Sequence, residues 1–430
     1  MQKNEVSLER VDTSRSYHQV VIVGAGAAGI ATAASLKKRD RSLDIAVIDF
    51  SRTHYYQPGW TLLGAGILDA SKTAKPIEAV VPAGVTRIEA KVTAVDPVGH
   101  TVRLHDGSVV SYQQLVVCPG LELDWNGIPG LAETLGRNGV TSNYLFELAP
   151  YTWEMTQALR RGPALFTQPP MPIKCAGAPQ KAMYLAASYW QRAGCLSDMH
   201  VAFHSAASVL FSVSAYVPAL MNYMQRYDID LRLQSNLIAV DGARRVATFK
   251  ETTFDGRTYT VDRRFEMLHA VPPQRAPDFI RTSSLADDTG WCDVNAMTLS
   301  HKRFANIHAL GDVINTPNAK TAAAVRKQAP VVAHNVLAAL GKVQGIATYD
   351  GYGACPLTVE HEHVVLAEFT YGGKLAPSFP RWMIDGTQPS KLAWWLKVYG
   401  LPMCYWKWML RGREWLAKPP VISPNTRIGQ

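Results

Sequence analysis

His18-Gln19-Val20-Val21-Ile22-Val23-Gly24-Ala25-Gly26-Ala27-Ala28-Gly29 is the stretch whose reading decides the fold. Its run of β-branched residues has the pattern of a strand buried on both faces. The glycines that follow, Gly24, Gly26 and Gly29, permit a tight turn and a close approach of the backbone to a pyrophosphate at a helix N-terminus. A helix is expected to about Lys38, then a second strand from Ile45 to Ile48 that ends at Asp49. Asp49 lies about twenty residues past Gly29, where an acid bonds a ribose hydroxyl. One complete β-α-β unit results.

Downstream, a strand-rich meander covers Thr86 to Val117, with Asp106-Gly107 as its tight turn. Its last strand runs into Cys118-Pro119-Gly120, and Gly120 supplies the turn. A second α/β segment spans Gly162 to Pro273, with strands near Ala164–Thr167, His200–Phe203 and Asp230–Leu233 and a helix between Pro179 and Arg192. Asn306 to Leu310 then leads as a strand into Gly311-Asp312, and Thr321 to Leu340 reads as a long helix. A Gly-Asp turn so far from the first motif is the expected partner for the ribityl chain of FAD in flavoproteins with two dinucleotide folds. The fold class is therefore α/β, with two Rossmann-like dinucleotide-binding domains and a C-terminal amphipathic membrane-docking region. Residues 1–16 are expected as a disordered lead, 17–125 with 295–370 as the FAD-binding domain, 126–294 as the second Rossmann-like domain and 371–430 as the C-terminal region.

At 430 residues the chain is too long for one ordinary core. Its net charge of +9 suits nucleic acid, an anionic membrane surface or a small anion. No run of lysine and arginine and no recognisable module supports nucleic acid. The first residues carry Glu5, Glu9 and Asp12 and lack the apolar core of a secretory signal. No window holds the roughly eighteen apolar residues of a spanning helix. Six cysteines lie scattered without metal-ligand spacing, which argues against zinc and against a disulfide scaffold. His361-Glu362-His363 puts two histidines on one strand face but offers no further ligand, so it reads as a solvated edge and no metal is expected.

The second α/β segment lacks a glycine motif after its first strand. It reads Gln168-Pro169-Pro170-Met171-Pro172-Ile173-Lys174-Cys175-Ala176-Gly177-Ala178-Pro179-Gln180-Lys181 instead. Prolines and Lys174 stand where a pyrophosphate would lie, and the next strand ends in His204-Ser205 without an acid for a ribose, which argues against NAD(P)H as donor. The loop offers Cys175 just before a helix, flanked by Lys174 and Lys181. A helix N-terminus and nearby cations both stabilise thiolate, so Cys175 is expected to be acidic and nucleophilic.

Four segments carry a resemblance: His54-Tyr55-Tyr56-Gln57-Pro58-Gly59-Trp60-Thr61-Leu62-Leu63-Gly64-Ala65-Gly66, Lys174 to Lys181, Lys320-Thr321-Ala322-Ala323-Ala324-Val325, and Tyr349-Asp350-Gly351-Tyr352 through Cys355-Pro356-Leu357. They closely resemble the sulfide:quinone oxidoreductases of the mitochondrial-like (type II) group, over nearly the whole chain. The resemblance implies that Cys175 and Cys355 form the redox pair, bridged as a disulfide or through an extra sulfur. Hydrosulfide would attack that bridge, electrons would pass to FAD and on to a quinone, and sulfane sulfur would leave to a small thiol or sulfite. It also implies Gln57, Gly120, Asp312, Lys320 and Thr321 as cofactor-binding beside Gly24, Gly26, Gly29 and Asp49. Lys320 is the expected cation at the reduced flavin's N1/O2 edge, and Phe379 and Tyr405 are expected at the quinone. Where bacterial type I members carry an acid after the first redox cysteine, this chain offers Lys181, so the acid-base group stays open, with His204 as a candidate. Cys118 reads as a core cysteine at a strand end.

Six of the eleven tryptophans fall in the last fifty residues. From Lys391 to Lys418 aromatic residues alternate with lysine and arginine, as an interfacial helix requires, and Pro402 is expected to split the stretch into two short helices. Peripheral attachment to a membrane follows, at the cytoplasmic face of a bacterial inner membrane, with a homo-oligomer as an open possibility. The rival functions are the flavin subunit of a sulfide dehydrogenase, an NADH:quinone reductase and a non-catalytic flavin-bound scaffold.

Overall fold

Val20 to Val23 are almost wholly shielded from solvent, so the opening strand needs cover on both faces. In the computed structural model, which describes residues 15–423, that strand is β1 (Arg15–Val23), followed by helix α1 (Ala27–Arg39) and β2 (Ile45–Ile48). β3 (Val85–Ile88), β4 (Val92–Asp96), β5 (Thr101–Leu104) and β6 (Val109–Val117) extend the sheet in the order β3-β2-β1-β6-β5-β4. β1 runs parallel to β2 and β6, with Val23 opposite both Ile48 and Val117. These strands thus end together at one edge, where doubly wound sheets receive nucleotides. β1 starts earlier than its apolar run because Arg15, Ser16 and Tyr17 pair with Val109, Val110 and Ser111, so backbone pairing rather than burial carries the extension. The remainder of the expected lead, residues 1–14, lies outside the described residues.

The second unit is built on β7 (Val140–Thr141), β8 (Gly162–Gln168), α2 (Ala178–Arg192), β9 (Met199–Ser205), β10 (Asp230–Leu233) and, beyond an antiparallel sheet of β11 (Ser235–Asp241), β12 (Val246–Thr252) and β13 (Thr258–Arg264), on β14 (Met267–His269). Its parallel sheet has the order β7-β14-β8-β9-β10. The chain then returns: β15 (Ile307–Ala309) pairs with β6, and α3 (Ala322–Ala339) packs on α1.

Two boundaries differ from expectation. Ala276, Ile280, Leu285, Trp291 and Cys292 already belong to the first core, well before residue 295. The hairpin β16 (Gly353–Glu360) and β17 (His363–Phe369) packs on α2, with Cys355, Leu357, Val359, Val365 and Ala367 in the second unit's core. Their apolar side chains join whichever core lies nearest in space, which chain order does not show. His361 and His363 flank the hairpin turn, where Glu362 has φ 69°, so they do not share a strand face.

Residues 391–411 wind on without a break at Pro402. An α-helical start, Lys391–Trp395, passes into π-helical turns at Leu396–Gly400 and Cys404–Trp408 and a closing 3₁₀ turn at Met409–Arg411. Pro402 is absorbed because the widened turns shift the hydrogen-bond register around its missing N–H. Among the described residues, no helix is long and apolar enough to cross a membrane.

Candidate active site

The glycine loop behaves as its sequence demands. Gly24 has φ 104°, and a Cβ there would lie 2.4 Å from the Cys118 carbonyl oxygen. A Cβ on Gly29 would lie 1.8 Å from the Gly24 carbonyl oxygen, so the helix and loop approach too closely for any side chain. On Gly26 a Cβ would meet nothing within 4 Å, which leaves the helix N-terminus open to a phosphate. Asp49, at the end of β2, accepts the Ala25 N–H at 2.6 Å and the Ser51 N–H at 2.8 Å and keeps lone pairs for a ribose. Gly120 has φ 78° with open space around it. Asp312 lies in the turn after β15, beside the end of β6. Burial raises its carboxyl pKa against the pull of Lys320 and Lys174. Thr321 caps α3 by accepting the Ala324 N–H. These residues fit a dinucleotide flavin laid from the first loop to the Gly311-Asp312 turn. Cys118 is buried, as a core residue at the end of β6.

Across the strand ends lies the cysteine loop. Cys175 has φ 49°, a conformation that side chains rarely adopt. It is held there because its N–H donates to the Lys320 carbonyl at 2.9 Å and its own carbonyl accepts the Ala178 N–H at 2.7 Å. The Tyr144 hydroxyl adds a hydrogen bond to the Lys174 carbonyl at 3.0 Å. Cys355 reaches the same place from β16, and the two sulfurs stand 3.8 Å apart. The Lys181 ammonium, in the first turns of α2, is 3.1 Å from the Cys175 sulfur and 3.7 Å from that of Cys355. The hydrogen bond from Cys355 holds the Cys175 thiol well below the ordinary thiol range, with Lys181 helping and burial opposing. Cys355 is raised well above that range by the same pairing and by burial. The nearer ammonium and the head of α2 both favour negative charge on Cys175.

Several expected residues take other positions. Lys174 turns away from the sulfurs: its ammonium donates to Gln57 Oε1 at 2.7 Å and lies over the Trp60 and Tyr144 rings. Lys320 donates to the carbonyls of Asp312 and Ile314, both at 2.7 Å, and sits over Trp291, so it also clamps the Gly-Asp turn. Burial pushes its pKa down to about 8. His204 is fully buried, shares a hydrogen bond of 2.8 Å with Ser235 and stacks on Phe249; burial pushes it to about 3, so it is no acid-base partner of the cysteines. Tyr405 is buried in the first core, and its hydroxyl meets His54 Nε2 at 2.7 Å while His54 Nδ1 meets the Ala25 carbonyl at 3.0 Å. That placement ties the C-terminal helix to the glycine loop. Phe379 is half-buried against a cluster formed with Leu62, Leu366, Ile384 and Trp394.

Lys397, one of the lysines read in the sequence as the charged side of the interfacial stretch 391–418, does not face solvent. It is buried on a π-helical turn and lies close enough to Lys181, Cys175 and Cys355 to exchange charge effects with all three. A lysine among exposed aromatic residues carries no signal of that placement. The Tyr144 bond to the cysteine loop was likewise illegible, because it spans two elements.

The sequence pattern of the pyridine nucleotide-disulphide oxidoreductases matches residues 18–329. The mitochondrial sulfide:quinone oxidoreductase of Mus musculus is 35% identical over 400 residues, covering 93% of this chain and 88% of that protein. The mitochondrial sulfide:quinone oxidoreductase of Dictyostelium discoideum is 36% identical over 409 residues, with 94% and 88% covered. The crystal structure of the sulfide:quinone oxidoreductase from Aquifex aeolicus superposes with a TM-score of 0.75 over 93% of this chain and 92% of its own, at 19% identity, and speaks for the fold. Glycine loop, Gly-Asp turn and paired cysteines thus occur within a chain of matching length and sequence, and the chain belongs to the sulfide:quinone oxidoreductases, among the pyridine nucleotide-disulphide oxidoreductases.

Proposed function

We propose that this protein oxidises hydrogen sulfide to sulfane sulfur on Cys175 and Cys355 and delivers the two electrons by way of FAD to a membrane quinone. The observation that carries the reading is the meeting of two sulfurs 180 residues apart, 3.8 Å from each other and bridged by one buried ammonium. When bound, FAD supplies a two-electron acceptor that can hand its electrons on to a quinone. Gly24, Gly26 and Gly29 would take its pyrophosphate, Asp49 a ribose, and Gly120, Asp312 and Thr321 the remaining length. Gln57 and Lys320 would stand at its ring, with Lys320 favouring negative charge there.

The asymmetry of the pair sets the direction of exchange. In a disulfide the better-stabilised thiolate leaves faster, and Cys175 is the sulfur nearer the Lys181 ammonium, 3.1 Å against 3.7 Å for Cys355, and the one at the head of α2. Hydrosulfide therefore attacks the Cys355 sulfur, the bridge breaks, Cys355 becomes the persulfide, and Cys175 leaves as a thiolate paired with Lys181. The outer sulfur of the persulfide then goes to a small nucleophile such as a thiol or sulfite. The half-buried Lys174 at the loop's outer side is suited to attract an anionic acceptor.

Quinone is lipid-soluble, and the C-terminal stretch suits a membrane surface. Leu392, Trp395, Tyr399 and Met403 recur at one-turn spacing and are all exposed, with Trp382 and Trp415 nearby in sequence and also exposed. Lys391, Lys407 and Arg413 supply charge for headgroups. Phe379 and Tyr405 are the residues proposed at the quinone. Co-sedimentation with anionic vesicles tests the attachment, which Trp395→Glu combined with Tyr399→Glu is expected to abolish; undiminished binding removes this face from the reading.

Anaerobic titration of the flavin-loaded protein with sulfide tests the chemistry. Bleaching of the flavin by sulfide in the wild type and its loss in Cys355→Ser are expected. Bleaching by NADH alone would favour the reductase, and undiminished sulfide bleaching in Cys355→Ser would remove that residue.

A further inference from the structure

Four lysines surround the cysteine loop, and three of them have acceptors. Lys181 has the two sulfurs, Lys320 two carbonyls and Lys174 the Gln57 amide. Lys397 is only 4% exposed, and among the described residues its amine makes no hydrogen bond or ion pair. The helix that carries it is anchored beside it, since Trp394 and Val398 sit in an apolar cluster with Leu62, Leu185, Val364 and Leu366. The neighbouring turns 391–395 and 401–403 add only Lys391, which is exposed and directed to Glu362. The groups acting on Lys397 are therefore the Lys181 ammonium and the two sulfurs, with no carboxylate among them.

A buried ammonium with no acceptor and a like charge nearby is costly, and a neutral amine is the form the site favours. Burial, then Lys181, push its pKa down to about 7. A group so poised suits proton transfer near neutral pH.

We infer that Lys397 is the proton acceptor for hydrogen sulfide at the cysteine pair. The inference rests on the function proposed above and deepens it. Hydrogen sulfide gives one proton to the Lys397 amine, leaving hydrosulfide and an ammonium. The hydrosulfide sulfur forms a bond to the Cys355 sulfur, the bond between Cys355 and Cys175 breaks, and its electron pair leaves with Cys175. Before the step the charge at the two sulfurs is that of Lys181 alone. Afterwards two ammoniums and one thiolate leave the same net charge, so the site takes in a neutral substrate without accumulating charge in a buried setting.

The test compares wild type with Lys397→Met and Lys397→Arg, each flavin-loaded, mixed anaerobically with sulfide from mildly acid to alkaline pH. Flavin bleaching is followed by stopped flow. Persulfide on the Cys355 peptide is read separately by quenched-flow alkylation and mass spectrometry, a readout that does not depend on the flavin. Both variants are expected to be slower by roughly 100-fold or more at and below neutral pH, the usual reach of general base catalysis. The deficit should close at alkaline pH, where solution already supplies hydrosulfide. A structural role would slow the variants by the same factor at every pH and would overturn the inference. Wild-type behaviour in Lys397→Arg would also overturn it, because guanidinium keeps the charge but cannot accept the proton. If sulfide fails to bleach the wild type at any pH, the function itself fails, which is a different result from either.

Discussion

Replacing Lys181 by methionine removes the cation 3.1 Å from the Cys175 sulfur while roughly keeping side-chain volume. Lys181 is 3% exposed, so water does little to screen the pair. At that distance and an effective dielectric of about 20, the attraction is about 5 kcal/mol. Converted at about 1.4 kcal/mol per pKa unit, this is an upper bound of about 4 units on the Cys175 thiol. Lys397 offsets part of it, because losing its like-charged neighbour lets it hold a proton more readily. If half the effect survives, the pH midpoint for forming the Cys175 thiolate rises by about 2 units. The assay is the pH dependence of iodoacetamide alkylation of the reduced protein, read on the Cys175 peptide by mass spectrometry. Lys181→Arg, which keeps the charge, should stay close to wild type. An alkylation profile of Lys181→Met that overlays the wild type would refute the reasoning, since the thiolate would then owe nothing to this ammonium.

Gly177 has an ordinary φ of −88°, so alanine there is free of backbone strain. Its Cβ would nevertheless lie 2.6 Å from the Cys355 sulfur and 2.4 Å from Leu357. Gly177→Ala should retain flavin yet lose roughly 100-fold in the rate of bleaching by sulfide, since misplacement by about 1 Å costs that much; an unchanged rate would show that the pair tolerates displacement. Acid should destabilise the fold through buried histidines, because burial pushes His204 to about 3 and His269 and His308 to about 4. The unfolded chain binds these protons near pH 6.5 and the folded chain resists them, so stability falls as pH drops through that window. At pH 5 each histidine costs about 2 kcal/mol. Urea unfolding midpoints at pH 7 and 5 check this, and equal midpoints would contradict it.

The first β-α-β unit was legible because its determinants are local. A β-branched run, glycine sterics and an acid at a strand end act within about thirty residues, and the structure puts Gly24, Gly29 and Asp49 where those constraints require. The nucleophilic setting of Cys175 was likewise local, since Lys181 lies on the helix that follows it. The pairing with Cys355 came from resemblance, because nothing within either segment records the other. Chain order misled where tertiary packing overrode it: the hairpin 353–369 joined the second core, and Pro402 was carried through a helix by widened turns.

The sequence by itself determined the dinucleotide fold, the missing second glycine motif and a cysteine primed to be acidic. The tertiary structure alone decided which sulfur faces Cys175 and which amine is left without an acceptor. Periodicity and glycine sterics act between near neighbours and are written in the residue string. Whether a lysine finds a partner depends on the summed packing of elements far apart in the chain, and Lys397 is buried because Trp394 and Val398 beside it pack against residues as distant as Leu62 and Leu185.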